Sequence, residues 1–277
     1  MLDHRFLGAQ DIAVSSDGSV FISDKLDYRL LKIDGAGRVI AETGKRGAGP
    51  GEFRAPGPVA ASTEAVAVAD FASHRIQVFS SDLVYRNSFS VPGSVLDLQF
   101  DSQGYLWVAL FQNASRDNLL KLTPEGNLEG SIALRSATSD LFDNMFRFDV
   151  DPHGTIAVVY RFRNKVEMWR TDGSFVQSLE ISGFPSRSSK KRVGNELIVP
   201  EDDLFSAVTL DNEGTIIVLA GEYTFSPRRE VFGVSKSGVP TFLAVLPRKS
   251  SLIEKGPDNR LYSIENDRTT VTVYRLK

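Results

Sequence analysis

The chain contains no cysteine, so disulfides, thiol nucleophiles and thiolate-held metals are excluded at once. Only 3 of its 277 residues are histidine (His4, His74 and His153), and their scatter along the repeats described below does not let them converge on one metal. No apolar run approaches the roughly 18 residues of a membrane-crossing helix. The opening MLDHRFLG also lacks the apolar stretch of a secretory leader. Charge of one sign is missing too. The 32 Lys and Arg stand against 35 Asp and Glu, for a formal net charge of −3, and nothing in that balance draws the chain to a polyanion. Recognisable catalytic signatures are equally scarce. There is no Gly-x-Ser-x-Gly elbow. Ser188-Ser189-Lys190-Lys191 matches Ser-x-x-Lys only by lying in a Ser/Lys-rich loop. Gly47, Gly49 and Gly51 lack the spacing of a phosphate loop, and a strand rather than a helix follows them.

What is present is a repeat. Ser15–Ile33 reads as tight turn, strand, short loop and strand. Its turn glycine, Gly18, stands six residues before a loop-entry residue, Asp24. The same offset joins Glu64 to Asp70, Gly104 to Leu110, Gly154 to Tyr160, Gly214 to Ala220 and Asn259 to Glu265. Asp101/Gly104, Asp151/Gly154 and Asp211/Gly214 carry type I turn chemistry. The turn positions are separated by 46, 40, 50, 60 and 45 residues, and only strand signals lie between them. That pattern predicts an all-β, six-bladed β-propeller with four antiparallel strands per blade.

The six blades use up residues 1–277 as a single domain: 10–55, 56–94, 95–146, 147–205, 206–250, and 251–277 plus 1–8. The last blade lacks an outer strand and Asp3–Leu7 is an orphan strand, so the N-terminal strand is expected to complete the last blade and close the ring. Trp107 and Trp169 read as packing residues between blades.

GAGPGEFRAP followed by VAVADFASHRIQVF resembles the NHL repeat, through Gly49–Phe53, Pro56, Asp70, Arg75 and Ile76, with Asp24 and Arg29 repeating part of the pattern in blade one. The resemblance implies a six-bladed propeller and is carried by residues 10–90. Later blades replace the loop-entry Asp with Leu110, Tyr160 and Ala220. The Asp is expected to cap its loop and the Arg to pair with it. Some NHL-like propellers are metal-dependent lyases with His ligands around the channel. Here the corresponding places hold Gly57, Asp11, Asp97, Arg147, Ala207 and Leu252. Other six-bladed propellers are calcium-dependent lactonases. Asp11 and Asp97 supply two carboxylates of that kind, while Arg147 beside them opposes a dication.

Loop lengths break the repeat. The second-to-third strand loop is expected to lengthen at Phe111–Asp117 and Gly221–Arg229, and the blade connections at Arg135–Phe146 and Gly183–Phe205. All of these fall on one face, over blades three to five. Insertions confined to one face of a repeat protein mark a binding face. Candidate binding residues there are Phe111, Arg116, Arg147, Arg161, Arg163, Arg187, Lys190, Tyr223, Phe225, Arg228 and Arg229, with Phe142, Phe146 and Phe184 as further aromatic surface. Arginine with aromatics favours a protein, a peptide or an anionic small molecule, and the acidic total disfavours nucleic acid. The expectation is therefore a monomeric, non-catalytic binding propeller without a cofactor. The alternative is a calcium- or zinc-dependent hydrolase or lyase at the channel mouth, using Asp11 and Asp97. Localisation follows any leader: extracytoplasmic if one was removed, cytoplasmic otherwise.

Overall fold

The computed structural model describes residues 6–111, 118–193, 197–222, 228–257 and 259–275. Two 3-10 turns, Phe71–Ser73 and Phe142–Asn144, are the only helical pieces among them. Everything else regular among the described residues is strand, arranged as the repeated antiparallel meander of a propeller blade apart from one inserted two-stranded hairpin.

Blade one is built from Ala9–Val14, Val20–Asp24, Arg29–Ile33 and Val39–Thr43. Blade two is Pro56–Ala61, Ala65–Asp70, Arg75–Ser80 and Tyr85–Phe89, and blade three is Ser94–Phe100, Leu106–Phe111, Leu119–Leu122 and Leu128–Ile132. Phe146–Val150, Thr155–Tyr160, Lys165–Arg170 and Phe175–Glu180 form blade four. Phe205–Leu210, Ile216–Ala220, Glu230–Val234 and Pro240–Val245 form blade five. In blade six, Ser250–Lys255, Arg260–Glu265 and Val271–Arg275 are described. The expected closing strand Asp3–Leu7 falls mostly on residues 1–5, outside the described residues. Beside them, the Phe6 and Ala9 N–H groups donate to the Thr269 and Arg268 carbonyls at 3.2 and 2.8 Å, and the Phe6 ring is buried.

The sequence explains the layering. Second strands such as VFISD and AVAVAD are apolar or small at nearly every position and are buried on both faces. Fourth strands such as YRNSF alternate, with one side half-buried and the other exposed. Gly18, Gly104, Gly154 and Gly214 close the first turns at φ between 78° and 85°, a backbone region that other residues enter at a cost. In three of those turns the leading Asp accepts the two N–H groups that the reversal would strand: Gln103 and Tyr105 on Asp101, His153 and Thr155 on Asp151, Glu213 and Thr215 on Asp211.

The strands gather into two compact units. One holds residues 1–133 and 252–277, and the other holds 134–251. In the first unit, Phe21, Leu30, Phe53, Val66, Val68 and Phe79 pack between blades one and two, and Ala67, Val78, Leu98, Leu106 and Val108 between blades two and three. In the second, Val159, Val166, Phe205, Val208 and Val218 pack between blades four and five. Both tryptophans are buried, and each indole N–H reaches a buried carboxylate: Trp107 on Asp101 at 2.9 Å, Trp169 on Glu167 at 3.0 Å.

Candidate functional site

The NHL-like residues of the first unit are occupied by the fold itself. Phe53 is fully buried, and its flanking segment is strapped down from three sides. Arg54 and Ala55 donate backbone N–H groups to the buried Asp70 carboxylate, Arg75 donates to the Gly49 and Glu52 carbonyls, and Gln77 accepts from Gly51 while donating to Glu52. Arg75 Nε also lies 3.7 Å from Asp70, so the expected Asp–Arg pair is present in blade two. Blade one differs. The Asp24 carboxylate is filled by the backbone N–H groups of Leu7, Gly8, Leu26 and Asp27, and Arg29 turns instead to Asp27 and Glu42, at 3.2 and 2.9 Å.

The third strand of blade four repeats the Gln77 device with a charge. Glu167 is wholly buried and accepts from Tyr160 Oη at 3.1 Å, Trp169 Nε1 at 3.0 Å, the Arg135 N–H at 3.1 Å and the Ser136 N–H. It thereby pins the connection entering blade four, as Gln77 pins the one entering blade two. Burial and the adjacent Glu167 carboxylate push the Tyr160 hydroxyl well above the ordinary tyrosine range.

At the loop-rich end of blades four and five, Asp203 is a buried hub. Arg161 and Arg228 both reach it at 3.2 Å, and Arg228 Nε donates to Glu222 at 2.9 Å. Burial, then the neighbouring Arg147, lowers the Arg161 pKa, while Asp203 opposes the shift. Arg161 Nε is buried without a hydrogen-bond partner. Two other candidate arginines hold backbone. Arg163 donates to the Ser136 carbonyl and lies over the Tyr160 ring, and Arg229 Nε donates to the Leu246 carbonyl. Asp203 was not among the expected binding residues; with Glu196, Glu201 and Asp202 it entered the sequence reading only as charge offsetting the basic cluster before it. Its only signal was its place among acidic residues that looked like solvated loop.

The expected long connection Gly183–Phe205 contains a β-hairpin, Lys190–Val193 paired with Leu197–Pro200. Its neck is closed by Ser188 N–H on the Phe162 carbonyl and Glu201 N–H on the Ser189 carbonyl, both 2.8 Å, and by the Ser189 hydroxyl on Glu201 at 2.9 Å. Lys190 is paired with Asp140 and Arg187 with Asp143. Lys190, Lys191, Arg192 and Val193 are all exposed, and Ile198 on the opposite strand is 53% exposed. The sequence signal was slight: LIVP is β-prone, but KKRV is mostly Lys and Arg, residues that do not mark a strand.

The remaining candidates separate clearly. Phe146 offers no free surface, contrary to expectation, and Phe184 is half-buried against the core. Phe146 is 1% exposed against Tyr160, and Phe184 stacks on Phe205 and Phe232. Phe142 packs edge-on to Phe162. Arg147 and Phe111 are half-buried at strand ends. Arg116, Tyr223 and Phe225 lie outside the described residues. Asp11 is buried and accepts the Val59 N–H at 2.8 Å, fastening blade one to blade two, and Asp97 accepts the N–H of Leu98. Among the described residues, no group of three or more His, Cys, Asp or Glu is placed to hold a metal ion.

No protein-family model matches the sequence, and no curated protein matches it either. Solved structures do resemble the fold. Virginiamycin B lyase from Staphylococcus aureus is 12% identical, with a TM-score of 0.60 over 98% of this chain and 85% of that one. A streptogramin B lyase is 13% identical, with a TM-score of 0.61 over 100% and 96%. U3-55K is 13% identical, with a TM-score of 0.67 over 98% and 96%. At these identities the likeness establishes fold alone: this chain is a six-bladed β-propeller.

Proposed function

We propose that the chain is a non-catalytic binding propeller of NHL type that engages a partner at the loop-rich end of blades four and five. The observation that carries this reading is the hairpin. The opposite turns of the same blades are four-residue reversals at Asp151–Gly154 and Asp211–Gly214. This end instead carries an inserted element whose basic and apolar side chains face solvent. Exposed apolar residues ringed by charge fit an interaction surface better than a solvated loop.

Two of the similar structures are lyases by name and the third, U3-55K, is not, so the fold does not choose between activities. Local chemistry favours binding. The Staphylococcus lyase was also crystallised as a catalytically inactive His-to-Ala variant. In this chain the described histidines, His74 and His153, are exposed on turns. At Gly57, where the NHL-like lyase pattern calls for histidine, an added Cβ would lie 2.3 Å from the Phe71 ring. The metal-dependent alternative is weakened in the same way, because Asp11 already serves as a clasp between blades.

The test is excision. Ser189 and Glu201 are hydrogen-bonded across the neck, so replacing residues 190–200 by a short Gly-Ser link leaves the blade's own ladder in place. The parent protein, immobilised and exposed to a lysate of its native host, is expected to retain partners that the excised form loses. An unchanged set of captured proteins would refute the assignment of this face.

A further inference from the structure

The hairpin also constrains what kind of partner it takes. Its two strands pair only with each other among the described residues, so each keeps one edge outside the ladder. An unpaired edge is a template for one more strand. The side chains decide which strand. The register places Lys190 and Arg192 on one face with Ile198 and Pro200, and Lys191 and Val193 on the other with Val199. Both faces therefore offer a cation beside a β-branched or ring carbon surface. Among the described residues, Lys191 and Arg192 have no ion pair, and Val193 is 49% exposed. A second copy pairing through the Lys190–Val193 edge would bring Lys and Arg against Lys and Arg, which works against self-pairing at that edge.

We infer that this hairpin docks an extended acidic segment of a partner protein, which adds as a strand to the outer edge of Lys190–Val193 and sets adjacent carboxylates, one on each face, against Lys191 and Arg192 and an apolar side chain against Val193. Cross-strand opposite-charge and β-branched pairs stabilise such an addition, and main-chain bonds supply the rest. A nucleic acid would use the cations but leave Val193 and Ile198 unmatched. The inference rests on the binding face proposed above and names its partner's chemistry.

The experiment uses the full chain and a fluorescein-labelled Glu-Val peptide with the repeat Glu-Glu-Val, which presents carboxylates on both faces of the strand, with a Lys-Lys-Val repeat, oligouridylate and phosphatidylserine vesicles as competing probes. The Glu-Val peptide is expected to bind and to slow amide exchange across 190–200. Reversal of two exposed charges, Lys191→Glu with Arg192→Glu, should weaken it by roughly tenfold, since each exposed pair contributes up to about 1 kcal/mol. The milder Lys191→Ala with Arg192→Ala should fall between, which guards against a folding artefact. Failure of the Glu-Val peptide to bind, binding indifferent to both variants, or hairpin-dependent binding of oligouridylate or vesicles instead would overturn the inference. If the peptide fails while hairpin excision still strips partners from the lysate, only the partner's chemistry is wrong. If excision changes nothing, the face itself is wrong.

Discussion

Replacing Glu167 with Ala should cost the protein about 2–5 kcal/mol, because two buried donors lose their only acceptor. The structure shows where the loss arises. The carboxylate takes hydrogen bonds from Tyr160, Trp169, Arg135 and Ser136, and bonds to a charged acceptor contribute about 1.5–3 kcal/mol each before any sharing between them. Arg135 and Ser136 lie near solvent and can turn their N–H groups to water. The Tyr160 hydroxyl and the Trp169 indole are buried and would be left without an acceptor, at about 1–3 kcal/mol each. Release of a desolvated charge offsets part of the sum, which keeps the total well below simple addition. Glu167→Gln keeps the shape and one acceptor oxygen, and should cost about half as much. Urea unfolding followed by tryptophan fluorescence measures both, since Trp169 is bonded to the altered group. A Glu167→Ala protein within about 1 kcal/mol of the parent would refute the idea that this residue anchors the connection entering blade four.

Three further outcomes follow from the same geometry. Asp70→Ala strips the acceptor from the Arg54 and Ala55 N–H groups and leaves Arg75 facing an empty site, so thermal denaturation should show a loss of about 2–4 kcal/mol; a near-neutral result would contradict the clamp. Gly57→Ala should destabilise by about 1–3 kcal/mol, because the new methyl would sit 2.3 Å from the Phe71 ring, whereas Gly18→Ala meets no neighbour within 4 Å and should pay only for its φ of 83°. The hydrogen bond from Lys190 holds the Asp140 carboxyl below the ordinary aspartate value. A depressed carboxylate contributes stability that is present above the unfolded value of about 3.9 and is lost as pH falls through the lower folded value. Protection factors of the hairpin amides, with the intrinsic pH dependence divided out, should therefore fall below about pH 4 in the parent and show no such step in Asp140→Asn.

Much of the fold was legible because its information is local. A turn glycine six residues before a strand end is a property of one hairpin, and the second strands do end at Asp24, Asp70, Tyr160, Ala220 and Glu265, with Phe111 one residue beyond Leu110. The candidate site was less legible because its arrangement is not local. Arg161 and Arg228 looked like surface charge until the fold brought both to Asp203, and Arg229 looked like its twin until its side chain closed on a carbonyl. Exchanging charges at Arg228 and Arg229 would therefore disturb the blade rather than probe a partner. Phe146 and Phe184 misled for a related reason: an aromatic in a long connection can fold back onto the core, and both do. The hairpin was not legible, because Lys190, Lys191 and Arg192 carry no strand preference and only LIVP does.

On the binding reading proposed above, partners meet this protein at the inserted hairpin and not at the short turns of the same blades. Hydrogen–deuterium exchange on the protein with and without a partner captured from its host tests that directly. Protection is expected at 187–201, with the reversals at 151–154 and 211–214 unchanged. Protection at those reversals, or none at the hairpin, would contradict it.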